Sequence, residues 1–153
     1  MTVEIARASI MVHKPPAEVL NAFVDPNAMS QFWFTRRDSG LVEGESATWA
    51  LGDAADAFEF AVQVKELSPP NRLVVEWPRP EGPAQICWTC EAAGANSTVL
   101  TIEESGFVGD AESVAAQVLD STGGFNQVIV AAKAWLEHGS AINVVKDHAP
   151  PAS

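Results

Sequence analysis

The sequence predicts an α+β domain in which a curved antiparallel β-sheet wraps around a long C-terminal helix, with two short helices between the first and second strands. Three observations carry this reading. Residues 57–67 alternate cleanly: Phe58, Phe60, Val62 and Val64 point one way, and Glu59, Gln63 and Lys65 the other, as in a half-buried antiparallel strand. After Ser105-Gly106 the period lengthens, and Phe125, Val128, Ile129, Ala132, Trp135 and Leu136 fall on one helical face. A single amphipathic helix has to bury that stripe against the apolar face of a sheet.

The elements follow in chain order. Residues 3–12 read as a strand, stopped by Lys14-Pro15-Pro16 because proline cannot continue a ladder. Pro16 suits the first turn of a helix, Glu18 favours its positive end, and Val19 and Phe23 share a face. Asp25-Pro26 repeats the start signal for a second short helix carrying Met29, Phe32 and Trp33. Gly40 and Gly44 mark a loop, and residues 46–51 resume a strand around Trp49. Ser68 to Asn71 and Pro78 to Pro83 read as turns flanking a strand at 72–77. Strands at 84–91 and 97–104 come next. Val114, Val118 and Leu119 suggest a short helix, which Gly123-Gly124 should break or kink before the long one. Gly139 should cap the end, with His138 in the last turn. Residues 1–146 are expected to form one domain and 147–153, with Pro150 and Pro151, a flexible tail.

Composition narrows the function. The chain has 153 residues, enough for a sizeable core. Hydrophobic residues at 47% and charged residues at 19% place it among globular chains. A net charge of -11 repels phosphate backbones and anionic lipid headgroups, so neither nucleic acid nor membrane is expected as a partner. No apolar run approaches the roughly 18 residues of a membrane span. Residues 1–14 contain Glu4 and no apolar h-region, so no export signal is expected. Two cysteines three apart form no disulfide framework, and a cytoplasmic location follows by default.

The arrangement resembles the SRPBCC superfamily, also called START-like or helix-grip. Within it, the chain is similar to the bacterial group named after the C-terminal domain of the activator of the ninety-kilodalton heat-shock protein ATPase. Pro15 to Phe23 looks like the family's opening helix, Asp25-Pro26 its second start, and Gln31 to Thr35 (QFWFT) the aromatic segment that follows. Glu103 to Gly109 (EESGFVG) matches the end of the last strand. Asp120 to Phe125 (DSTGGF), Trp135 to Gly139 (WLEHG) and Ile142 to Val145 (INVV) match the long helix and its exit. The resemblance implies the fold rather than one activity. The superfamily includes lipid and hormone carriers, polyketide cyclases and co-chaperone domains, with no shared catalytic set to carry over. The co-chaperones also use a separate N-terminal domain, for which 153 residues leave no room.

The residues point to no familiar catalytic centre. Cys87-Trp88-Thr89-Cys90 lies inside a predicted strand, where residues three apart are roughly 10 Å from each other on opposite faces. That is too far for a disulfide, so two unpaired cysteines are expected. His13, His138 and His148 are scattered and form no metal motif; neither a metal nor a cofactor is expected. There is no nucleophile elbow and no phosphate loop. Glu103 and Glu104 alternate faces in a strand, so they cannot act as a dyad, although one of them can face a cavity.

Five tryptophans and no tyrosine supply large flat apolar surfaces. Core packing accounts for most of them. The rest suit a cavity between sheet and helix, with Trp49, Phe58, Phe60, Val62, Trp77, Trp88, Phe125, Ile129 and Ala132 as candidate walls. Arg36 and Arg37 are candidates for the mouth. The expected partner is a small hydrophobic or aromatic molecule held without catalysis, and a homodimer is left open. The alternatives are a polyketide cyclase or dehydratase using Glu76, Glu103 or His13, and a co-chaperone-like interaction module.

Overall fold

In the computed structural model, which describes residues 4–36, 39–50 and 55–148, the apolar alternation becomes one antiparallel sheet. Its strands are β1 (Ala6–Val12), β2 (Thr35–Arg36), β3 (Ser46–Ala50), β4 (Glu59–Ser68), β5 (Arg72–Trp77), β6 (Ala84–Ala92) and β7 (Thr98–Ser105). Their order across the sheet is β1-β7-β6-β5-β4-β3-β2. Helices α1 (Pro16–Val24) and α2 (Pro26–Met29) fall between β1 and β2. Helix α3 (Ala111–His138) crosses the concave face, and α4 (Val144–His148) follows it. Among the described residues no helix is long and apolar enough to cross a membrane.

The inner face of the sheet follows strand parity. Val62 and Val64 of β4, Ala84, Ile86, Trp88 and Cys90 of β6, and Leu100 and Ile102 of β7 are all buried. Phe125, Val128, Ile129, Ala131 and Ala132 of α3 meet them, with Val19, Leu20 and Phe23 of α1 closing one end. The cysteines divide as strand geometry requires, Cys90 inward and Cys87 half-buried on the other face, and both are free. Burial pushes the Cys90 thiol up to about 12, which leaves it unreactive.

Strand β1 is an edge, and helix α3 covers it. Lys133 Nζ donates to the Met11 carbonyl at 2.6 Å, and the Glu137 carboxylate accepts from the His13 backbone N–H at 2.8 Å. Lys133 and Glu137 also pair with each other at 2.6 Å. Burial works against the Glu137 charge. The Lys133 and His13 hydrogen bonds and the Lys133 charge outweigh it and hold the carboxyl below its ordinary range. The outward backbone groups at this end of β1 are thereby satisfied, and the edge is less open to pairing with another strand.

Three expectations need correction. Phe32 and Trp33 lie beyond α2, in a turn where both amides donate to the Met29 carbonyl, because packing draws these rings under the sheet. Gly123-Gly124 breaks nothing: α3 is continuous, and its burial on the sheet outweighs the low helix propensity of glycine. Residues 147 and 148, assigned to the tail, belong to α4, and residues 149–153 lie outside the described ones. Gly139 caps α3 with a left-handed φ of 64°, as expected.

A Cβ on Gly123 would meet nothing within 4 Å. Gly123→Ala is therefore expected to stabilise the protein by about 1 kcal/mol through helix propensity. Thermal unfolding should show a rise of about 3 °C.

Candidate functional site

Strand parity carries one charged residue inward. Thr98, Leu100, Ile102 and Glu104 share the buried face of β7, and Glu104 is only 4% exposed. Small Ala6 of β1 stands opposite it and leaves room for the carboxyl. Its counterion arrives from the β5–β6 turn, where Arg79 Nη1 donates to Glu104 Oε2 at 2.9 Å. Arg79 also donates to the carbonyls of Gly82 at 3.2 Å and Gly106 at 2.5 Å, and its guanidinium lies 4.7 Å above the Phe107 ring. Gly106, at φ 92°, is required here: a Cβ would come within 2.8 Å of the Pro83 carbonyl oxygen.

Glu104 forms the polar end of a pocket of about 280 Å³ between the sheet and α3. Trp33, Phe34, Trp77, Phe125, Val128 and Val145 supply apolar wall, and Asp120, Ser121 and Gly124 of α3 complete the lining. Burial raises the Glu104 pKa. The Ser121 hydroxyl hydrogen bond and Arg79 work against that shift, while the Asp120 charge adds to it. The result is an aromatic slot ending in a carboxyl displaced toward its neutral form.

The aromatic rings form one connected group. Trp33 sits at its centre, with ring centroids 4.6 Å from Phe34, 5.7 Å from Trp49, 6.1 Å from Phe125, 6.2 Å from Trp88 and 6.3 Å from both Phe23 and Trp77. Most pairs are edge-on or tilted, the arrangements favoured by ring quadrupoles. These rings occupy part of the space expected to be an open cavity.

Of the expected wall residues, the pocket brings together Trp77 and Phe125. Trp49 is fully buried, packed against Trp33, Phe34 and Trp77. Phe60 is half-buried, 5.9 Å from Trp77 and outside the lining. Val62, Trp88, Ile129 and Ala132 are buried in the core and do not line this pocket. Phe58 is corrected outright: it is 67% exposed, just before β4 begins. Arg36 stands in β2 with its side chain outside the described residues, and Arg37 lies outside them altogether. The acid–base candidates lie outside the lining as well. Glu103 pairs with Arg7 at 2.7 Å, Glu76 lies 3.9 Å from Lys65, and the His13 ring bonds Ser97 at 3.1 Å.

Reasoning from sequence did not place Trp33, Phe34, Asp120, Ser121, Gly124, Val128 and Val145 in the lining, nor Arg79 behind them, and left open which of Glu103 and Glu104 faces a cavity. Glu104 had a usable signal, because extending the Leu100–Ile102 alternation by two residues puts it inside. Arg79 had none beyond its place in a turn. Among the described residues no cluster of three or more His, Cys, Asp or Glu could hold a metal ion.

Comparison with known proteins agrees with this architecture. A family model described as "Activator of Hsp90 ATPase homolog 1-like protein" matches residues 13–136. No curated protein matches the chain. Among solved structures, protein SSP2350 from Staphylococcus saprophyticus is 24% identical, with a TM-score of 0.76 over 92% of this chain and 96% of its own. DynU16, a protein of the dynemicin biosynthetic locus, is 23% identical with a TM-score of 0.76. The match covers 92% of this chain but 49% of DynU16, so this chain spans about half its length. The Aha1 dimer from Colwellia psychrerythraea is 13% identical, with a TM-score of 0.68 over 90% of this chain and 97% of that one. At these identities the solved structures speak for the fold alone.

Proposed function

The chain belongs to the Activator of Hsp90 ATPase homolog 1-like family, within the SRPBCC superfamily, and from that premise we propose that it binds a small hydrophobic or aromatic molecule in the pocket between β7 and α3. The observation that carries this reading is the pocket's composition: aromatic walls on several sides and a few polar groups gathered at one end. Apolar walls give affinity by burial, and grouped polar atoms give orientation. Burying about 200 Å² of a flat ligand is worth about 5 kcal/mol before any loss of freedom. A purely apolar probe should therefore bind weakly, with a Kd no tighter than about 0.2 mM.

Gly124 permits a direct test. It lines the pocket, and a Cβ there would meet nothing within 4 Å. Gly124→Leu should project a side chain into the slot without straining the helix. Titration with 1-ethylnaphthalene, followed by the indole N–H signals of Trp33 and Trp77, is expected to show saturable binding. In Gly124→Leu that binding should fall at least about tenfold while thermal stability is kept or raised. Equal binding to both proteins would sink the reading.

Glu104 favours a second reading, a catalyst resembling a polyketide cyclase or dehydratase. A buried carboxyl with a raised pKa, beside the Ser121 hydroxyl, is suited to take a proton from a bound substrate and return it. On that reading Glu104→Gln retains ligand binding and abolishes turnover.

A further inference from the structure

The polar end of the pocket carries a charge preference, and that preference narrows the ligand class. Two carboxyl groups, Glu104 and Asp120, line it, with the Ser121 hydroxyl, next to Asp120 in sequence, hydrogen-bonded to Glu104. Among the described residues, the guanidinium that reaches this end is that of Arg79, which stands behind Glu104 and outside the lining. It is occupied by that carboxylate and by the carbonyls of Gly82 and Gly106. Asp120 is exposed and has no ion-pair partner among the described residues. The remaining walls are Trp33, Phe34, Trp77 and Phe125, whose π-faces attract cations and repel anions. A carboxylate or phosphate placed here would meet acidic groups and ring faces with no free cation among the described lining.

We infer that the natural ligand is an aromatic or hydrophobic amine, seated with its ring between Trp33, Phe34, Trp77 and Phe125 and its cationic nitrogen at the Asp120–Glu104 end. This rests on the binding reading above and makes it specific. Asp120 acts as the specificity-determining residue, because Glu104 already has Arg79 as its counterion and Asp120 does not.

Three probes of nearly equal shape test the inference by calorimetry on the intact protein. They are 2-(1-naphthyl)ethylamine as the ammonium, 1-ethylnaphthalene as the neutral form and 1-naphthaleneacetate as the anion. The amine is expected to bind about tenfold tighter than ethylnaphthalene, the size of one charge-assisted hydrogen bond, and naphthaleneacetate weaker than both. In Asp120→Asn the amine should lose that advantage while ethylnaphthalene binds as before. Raising the salt concentration should shrink the preference in the parent protein. Naphthaleneacetate binding as tightly as the amine, or an amine preference that survives Asp120→Asn, would overturn the inference and leave the pocket reading intact. Failure of all three probes to bind would overturn both.

Discussion

Replacing Arg79 with methionine is expected to cost about 3–5 kcal/mol of stability at neutral pH, because it strands a buried carboxylate without its counterion. The side chains of Arg79 and Glu104 are 13% and 5% exposed, so water cannot take over the lost interaction. The cost should depend on pH in a defined direction. Burial already holds the folded-state pKa of Glu104 above its ordinary value, and losing Arg79 raises it further. A carboxyl raised in this way makes its full contribution below the ordinary carboxylate range, where it is neutral and still bonded to Ser121. That contribution is lost as pH climbs through the raised value. Urea unfolding of Arg79→Met should therefore show a small deficit near pH 4 and a large one near pH 7. Arg79→Met combined with Glu104→Leu should recover most of the loss, since an apolar pair replaces a buried charge. A deficit that is flat in pH and persists in the double variant would mean that Arg79 acts by tying the Gly82 and Gly106 loops together. Charge neutralisation would then be secondary.

The second large effect is expected at Trp88. The ring is fully buried, with centroids 5.7 Å from Phe23 and 6.2 Å from Trp33. Trp88→Ala should cost about 3–5 kcal/mol, the range for deleting a large aromatic from a packed core. Trp88→Phe should cost far less, about 1 kcal/mol. The indole Nε1 has no hydrogen-bond partner among the described residues, so losing the N–H removes an unsatisfied donor and partly offsets the smaller ring. Denaturant unfolding of the two variants separates these contributions. Because Trp88 backs Trp33, which lines the pocket, Trp88→Ala should also shift the Trp33 indole signal and weaken binding of 1-ethylnaphthalene. An unmoved Trp33 signal would show that core and pocket are mechanically separate.

Legibility differed by residue for physical reasons. The strands were readable because apolar–polar alternation at β4 and β7 directly encodes which face is buried. The long helix was readable from Phe125, Val128, Ile129 and Ala132, and its end from Gly139. Its first half was read as a separate short helix. Leu119 is 74% exposed, so the apolar residues there mark no buried stripe, and two glycines suggested a break that the rest of the helix overrides. Trp77 and Phe125 were named as pocket residues and do line it, while Ile129 and Ala132, on the same helical face, do not. Periodicity places all of these toward the interior and cannot rank their distance from open space.

The sequence by itself determined the element order, the alternation of the strands, the long helix with its cap, and the family resemblance. These are written in short-range patterns, where each residue's direction follows from its neighbours along the chain. Tertiary structure alone decided that Trp33, Trp49, Trp77 and Trp88 pack into one aromatic group between sheet and helix, that a slot lies beside Glu104, and that Arg79 pairs with this carboxylate 25 residues further along the chain. Those outcomes depend on how side-chain volumes from separate elements share one space, and on which charge folding brings beside another. Neither quantity has a period along the chain.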